Sequence, residues 1–195
     1  MRSAVRRSFT IPWTSITPPM ERLLYGIASV RQAPTVVCVG VFCGNTLVWN
    51  VGAACGPGKS YDARRLVGVE IDPKSVARAR ENFRAIGVGG EVEILAEDGH
   101  LTLDRIEGPI DLLYLDANGP LPGTTAPSTK RIYLSLLERA YDKVPRGGLV
   151  LAHDTLPAWF ARDAGVYLDF VRDSSRFRLS VSLEPDGEGL EASVR

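Results

Sequence analysis

Cysteine is scarce in this chain of 195 residues, with only Cys38, Cys43 and Cys55. An odd number at irregular spacing excludes a disulfide framework and a cysteine-based metal centre, so a reducing, cytoplasmic setting is expected. Histidine is scarcer, limited to His100 and His153. Net charge is absent, 23 basic residues standing against 23 acidic ones. That balance lacks the basic footprint of a nucleic-acid binder and gives no pull towards a membrane surface. No apolar run approaches the roughly 20 residues that cross a bilayer. The opening MRSAVRRSFT is basic but has no apolar core of the kind a secretory signal carries. Residues 1–16 are expected to form a flexible tail or lid.

What is present is an alternation. The runs Thr35-Val-Val-Cys-Val39, Leu66-Val-Gly-Val-Glu-Ile71, Val92-Glu-Ile-Leu-Ala96, Ile110-Asp-Leu-Leu-Tyr-Leu115 and Leu149-Val-Leu-Ala152 read as strands. The first, fourth and fifth are nearly all apolar, as in a parallel sheet buried on both faces. Helical stripes lie between them. Met20, Leu23, Leu24 and Ile27 follow a Thr17-Pro18 start, and Val76, Ala79, Phe83 and Ile86 follow Asp72-Pro73. Tyr133, Leu136, Leu137, Ala140, Tyr141 and Val144 form a third stripe. The end reads as a hairpin, with Phe177, Leu179, Val181 and Leu183 alternating before Pro185-Asp-Gly-Glu-Gly189 and a last strand from Leu190 to Val194. The expected fold is α/β: one Rossmann-like, doubly wound domain over residues 17–195. Its seven-stranded sheet should be mostly parallel and closed by an antiparallel C-terminal hairpin.

In open α/β sheets, ligands bind beyond the carboxyl ends of the strands. Gly40, Val41, Phe42, Gly44 and Thr46 follow the first strand here, and Glu70 and Ile71 end the second. Asp98, Gly99 and His100 follow the third, Asp116 the fourth, and His153, Asp154 and Thr155 the fifth. Gly40 and Gly44 allow a tight turn close to a ligand. Glu70 is placed to accept hydrogen bonds from both hydroxyls of a ribose, Asp98 from an adenine amine, and Asp116 can face an ammonium or sulfonium. The spacing G-x-x-x-G differs from the G-x-G-x-x-G of pyrophosphate binders. A nucleoside without phosphates, such as S-adenosylmethionine, is therefore expected over NAD. The cofactor set is Gly40, Val41, Phe42, Gly44, Thr46, Glu70, Ile71, Asp98, Gly99, His100 and Asp116.

Four motifs together resemble the catechol O-methyltransferase-like family of class I methyltransferases. They are Cys38-Val-Gly-Val-Phe-Cys-Gly-Asn-Thr46, Gly68-Val-Glu-Ile-Asp-Pro73, Ile110-Asp-Leu-Leu-Tyr-Leu-Asp116 and Gly147-Gly-Leu-Val-Leu-Ala-His-Asp154. The Thr17-Pro-Pro-Met-Glu21 helix start and the terminal Gly189-Leu-Glu191 also fit. The resemblance implies S-adenosylmethionine-dependent O-methylation of a small-molecule hydroxyl. It also implies a divalent cation such as Mg2+ held by Asp116, Asp154 and the residue at Thr155. Three departures stand out. The family usually has an acid where Cys38 stands and an asparagine where Thr155 stands. It commonly has a lysine three residues after the strand-four aspartate, where this chain has Gly119; the nearest lysine is Lys130.

Other readings stay open at this stage. The methyl acceptor could be carbon or nitrogen. The chain could bind a nucleoside without catalysis. Ala53-Ala-Cys-Gly-Pro-Gly-Lys-Ser60 matches a relaxed phosphate-loop pattern, although too few residues separate Ser60 from the next strand for the helix that motif needs. For a hydroxyl acceptor, Asp116 and His153 are the candidate catalytic groups, with His153 as a base titrating near neutrality. Phe9, Trp13 and the loop from Ala117 to Thr129 are candidates to line the acceptor pocket. A small-molecule substrate is expected, and a homodimer is the one protein partner left open.

Overall fold

The computed structural model describes every residue except Trp13, Thr14, Pro122 and 124–128. The chain condenses into two compact units, Met1–Asp98 and Gly99–Arg195.

The first unit begins with α1 (Arg2–Ser8). This stretch is anchored, not the flexible tail its charge suggested. Val5 is fully buried, and the Phe9 ring packs 5.8 Å from that of Phe83. Thr10 donates its backbone N–H to Asn82 Oδ1 at 2.9 Å. One fully buried residue in two turns, followed by an aromatic, holds this short basic helix against the core. Helix α2 (Pro18–Arg31) starts as expected, with the Thr17 hydroxyl accepting from the Met20 N–H at 3.4 Å. Strand β1 (Thr35–Val39) is buried at every position. Then come α3 (Asn45–Val51), β2 (Arg65–Glu70), α4 (Pro73–Ala85) and β3 (Glu93–Ala96). The Asp72 carboxylate caps α4, accepting from the N–H groups of Lys74 and Ser75 at 3.3 and 2.9 Å. Strand β1 pairs parallel with β2, and β2 with β3.

The second unit runs α5 (Gly99–Arg105), β4 (Leu112–Leu115), α6 (Ile132–Ala140), β5 (Leu149–His153), α7 (Ala158–Arg172), β6 (Leu179–Leu183) and β7 (Leu190–Val194). Strand β4 is parallel to β5, and β7 is antiparallel to both β5 and β6. The seven strands follow the order β3-β2-β1-β4-β5-β7-β6, the doubly wound plan with its terminal hairpin. Tyr133 of α6 packs edge-on against Phe160 and Tyr167 of α7, at 5.6 and 5.7 Å.

The hairpin holds one inversion. In β6 the apolar Leu179 and Val181 are exposed. Ser180 and Ser182 instead turn onto Glu191 of β7, donating to its carboxylate at 2.7 and 2.6 Å. Arg172 of α7 adds two hydrogen bonds, at 2.9 and 2.8 Å. A fully buried carboxylate demands donors, and at this sheet edge that demand outweighs burial of two apolar side chains.

Candidate active site

In the first unit the loop after β1 is built from unusual backbone. Gly40 and Gly44 have φ of 85°, and Phe42 between them has φ of 46°. A Cβ at Gly44 would stand 3.0 Å from the Phe83 ring and 3.2 Å from Ala79, so the turn lies directly on α4. Gly40 continues the β-ladder, donating to the Val69 carbonyl at 2.8 Å. A left-handed phenylalanine is costly and must be held. Its N–H donates to Glu70 Oε2 at 2.9 Å, while the Asp72 N–H donates to Oε1 at 3.1 Å. The Glu70 carboxylate is thereby oriented at the end of β2, and each oxygen keeps a lone pair for a ligand. Phe42 and Ile71 beside it are 49% and 65% exposed, an apolar surface next to a fixed acceptor. Val41 is buried beneath the loop. Thr46 lies in α3, its carbonyl accepting from Asn50 Nδ2 at 3.1 Å. Asp98 is half-buried just beyond β3 and closes the unit.

In the second unit Gly99 and His100 open α5. His100 Nε2 lies 2.8 Å from the Ser135 hydroxyl of α6, a structural pairing. The chemistry gathers at the ends of β4 and β5. Asp116, His153 and Asp154 bring potential ligand atoms within 4.8 Å of one another. Asp154 has φ of 59°, a strained backbone of the kind found at functional sites. Thr155 is buried beside it.

A fourth member had no expected role. Lys130 Nζ lies 2.8 Å from Asp116 Oδ1 and 2.8 Å from Asp154 Oδ2, with the lysine side chain only 3% exposed. It is also 5.1 Å above the Tyr133 ring. Spacing along the chain hides this residue, because 14 positions separate it from Asp116. The reason is an antiparallel bridge between Gly119 and Thr129 that closes the loop after β4 at its base. The residue following Thr129 is thus returned to the strand end. The sequence signals that point to it are its place just before an apolar helical stripe and its being the nearest lysine to the position where the resembled family carries one.

Electrostatics change the reading of His153. Its Nδ1 lies 2.9 Å from Asp154 Oδ1 and 3.5 Å from Asp116 Oδ1. Both ring nitrogens are buried without an aligned hydrogen bond among the described residues, so the contact is charge pairing. Burial opposes a charge on the ring, but the two carboxylates, Asp116 foremost, overcome it and raise its pKa to about 10. With its pKa raised in this way, His153 is a poorer proton acceptor near neutrality than an ordinary histidine. Burial likewise opposes the Lys130 charge, yet its neighbours, Asp116 first, hold its pKa well above the usual lysine value. Burial would raise the Asp154 carboxyl, but His153 and Lys130 keep it below the ordinary range. The less buried members are Asp116 and Asp154, at 15% and 21% exposed.

This arrangement does not suit a divalent cation. The two carboxylates that would hold it already share a buried ammonium, and His153 adds a second positive charge. Of the acceptor-pocket candidates, Phe9 packs on Phe83, while Trp13, Pro122 and residues 124–128 lie outside the described residues. The phosphate-loop pattern follows α3, not a strand. Gly56–Gly58 is a single helical turn, and Lys59 pairs with Asp62 at 2.6 Å. That geometry forms no phosphate cradle.

The comparisons with known proteins agree with this plan. Catechol O-methyltransferase of Niastella koreensis is 27% identical over 114 residues, 56% of this chain and 49% of that protein. The Mycobacterium tuberculosis enzyme of the same name is 28% identical over 109 residues, 55% and 47% of the two chains. The chain thus spans about half the length of these curated relatives. An O-methyltransferase from Bacillus cereus, solved in complex with SAH, superposes with a TM-score of 0.77 at 16% identity, covering 99% of this chain and 91% of that one. TomG from Streptomyces achromogenes, solved with SAM, gives 0.71 at 21% identity, over 99% and 87%. At such identities the structural likeness speaks for the fold. The methyltransferase domain family matches residues 37–155, from within β1 to just past β5, and the chain belongs to that family.

Proposed function

We propose that this protein is an S-adenosylmethionine-dependent methyltransferase acting on a hydroxyl of a small molecule. One observation carries the reading: the Glu70 carboxylate, fixed by the backbone of Phe42 and Asp72 at the mouth of a glycine turn. With Ile71 and Phe42 exposed beside it, it offers what a nucleoside needs, a charged acceptor for ribose hydroxyls and an apolar face for a base. The G-x-x-x-G spacing of this turn is not the G-x-G-x-x-G that brings backbone amides against a pyrophosphate. The curated relatives carry the name catechol O-methyltransferase, which supports a small hydroxylated acceptor. The zero net charge gives no support to a nucleic-acid substrate.

When bound, S-adenosylmethionine supplies an electrophilic methyl group on a sulfonium. Glu70, with Phe42 and Ile71, would hold its nucleoside part. Asp116 and Asp154, the members of the polar cluster open to solvent, orient the hydroxyl, and Asp116 takes its proton as the oxygen becomes methylated. Lys130 and His153 stand behind them and balance the charge.

Calorimetry tests the reading. S-adenosylhomocysteine should bind and raise the melting temperature, as a ligand of the native state does, while ATP with magnesium should do neither. Binding of ATP without binding of S-adenosylhomocysteine would overturn the assignment.

A further inference from the structure

We propose that Lys130 is the resident cation of this site: its ammonium takes the place of a divalent metal between Asp116 and Asp154, and the site operates without metal. The geometry carries the inference. One Nζ lies at 2.8 Å from an oxygen of each carboxylate. Oxygen-bound Mg2+ or Mn2+ sits at about 2.0–2.2 Å from its ligands, so it would compete for the same oxygens and press against the ammonium. The lysine cannot easily retreat. Its side chain is 3% exposed, lies over the Tyr133 ring and leaves a backbone anchored by the Gly119–Thr129 bridge. The Tyr133 N–H donates to the Lys130 carbonyl at 3.0 Å, fixing the residue at the entry to α6. A divalent ion would also bring its charge against a buried ammonium that already pairs with both carboxylates.

The arrangement deepens the methyl-transfer reading and in this respect rests on it. A fixed ammonium shared by the two carboxylates offsets negative charge as the acceptor oxygen loses its proton, part of the electrostatic service of a Lewis-acid metal. Lys130 does so without the need to acquire an ion.

The test reads metal binding, not turnover, so its failure is distinct from failure of the methyltransferase reading. Mn2+ is titrated into the full chain, with and without saturating S-adenosylhomocysteine, and free Mn2+ is followed by electron paramagnetic resonance. Wild type should leave Mn2+ free through the micromolar range. Lys130→Ala, and Lys130→Met, which retains most of the stem volume, should bind it on the order of tenfold or more tightly than wild type, because both carboxylates lose the ammonium they share. The melting temperature of each variant should then rise with Mn2+ while that of wild type does not. Micromolar Mn2+ binding by wild type overturns the proposal, and so does a folded variant that gains no binding. If neither variant folds, the wild-type titration decides alone.

Discussion

Phe42 donates its backbone N–H to Glu70 Oε2 at 2.9 Å, joining two strand-end loops 28 residues apart. The bond serves two ends, since it holds a left-handed phenylalanine in place and aims the carboxylate. Glu70→Ala should therefore weaken S-adenosylhomocysteine binding by about 1.5–3 kcal/mol, the range for hydrogen bonds to a charged group. Glu70→Gln, which keeps one acceptor oxygen, should lose less. Calorimetry on both variants measures it, and unchanged affinity in a folded Glu70→Ala protein would remove this residue from the cofactor site.

Gly44 answers to a different constraint. At φ of 85°, with Ala79 and the Phe83 ring against its Cα, it has neither the backbone freedom nor the room for a side chain. Gly44→Ala should cost about 1–2 kcal/mol of left-handed strain alone. For a chain of this size that lowers the melting temperature by roughly 2–8 °C, and cofactor affinity should fall with it as the turn shifts. A scanning-calorimetry trace superimposable on that of wild type would contradict the packing described for this turn.

The cationic His153 sets a pH signature. Its folded pKa is raised to about 10, against burial, by Asp116 and Asp154. The unfolded value is about 6.5. The stability it contributes is therefore complete below about pH 6.5 and is lost as pH rises through the folded value. Nitrogen NMR of histidine-labelled protein should show this imidazole doubly protonated at pH 8. The rate profile of methyl transfer should lack a limb near pH 6.5. Titration of His153 near 6.5 would return it to the role of base.

Glu191 gives the opposite sign. Burial would raise its carboxyl, but Arg172, Ser182 and Ser180 outweigh it and lower the folded pKa. Its contribution is present above the unfolded value, about 4.3, and is lost as pH falls through the folded one. Denaturant melts should show wild type losing stability below about pH 4.3 more steeply than Glu191→Gln. At neutral pH the variant should be weaker by about 1–3 kcal/mol. Parallel pH curves for the two proteins would exclude the carboxylate as the titrating group.

Much of the plan is written locally. An apolar run such as residues 35–39 must be covered on both faces, and the proline after Thr17 or Asp72 sets a helix start. Glycines at 40 and 44, with Glu70 ending its strand, mark a tight turn because each is tied to a strand only a few residues away. Sequence alone determined the alternation of strands and helices, the glycine turn beside Glu70 and the two aspartates at the ends of β4 and β5. Tertiary structure decided the rest. Counting positions from Asp116 leads to Gly119, yet the bridge from Gly119 to Thr129 makes Lys130 the lysine that reaches Asp116. His153 reads as a neutral base until two carboxylates, working against burial, raise its pKa. The serines of β6 read as a solvent face, yet both donate to the buried Glu191 carboxylate. In each case the deciding quantity is the electrostatic environment of a buried group. That environment is assembled from residues far apart in the chain, so no local pattern encodes it.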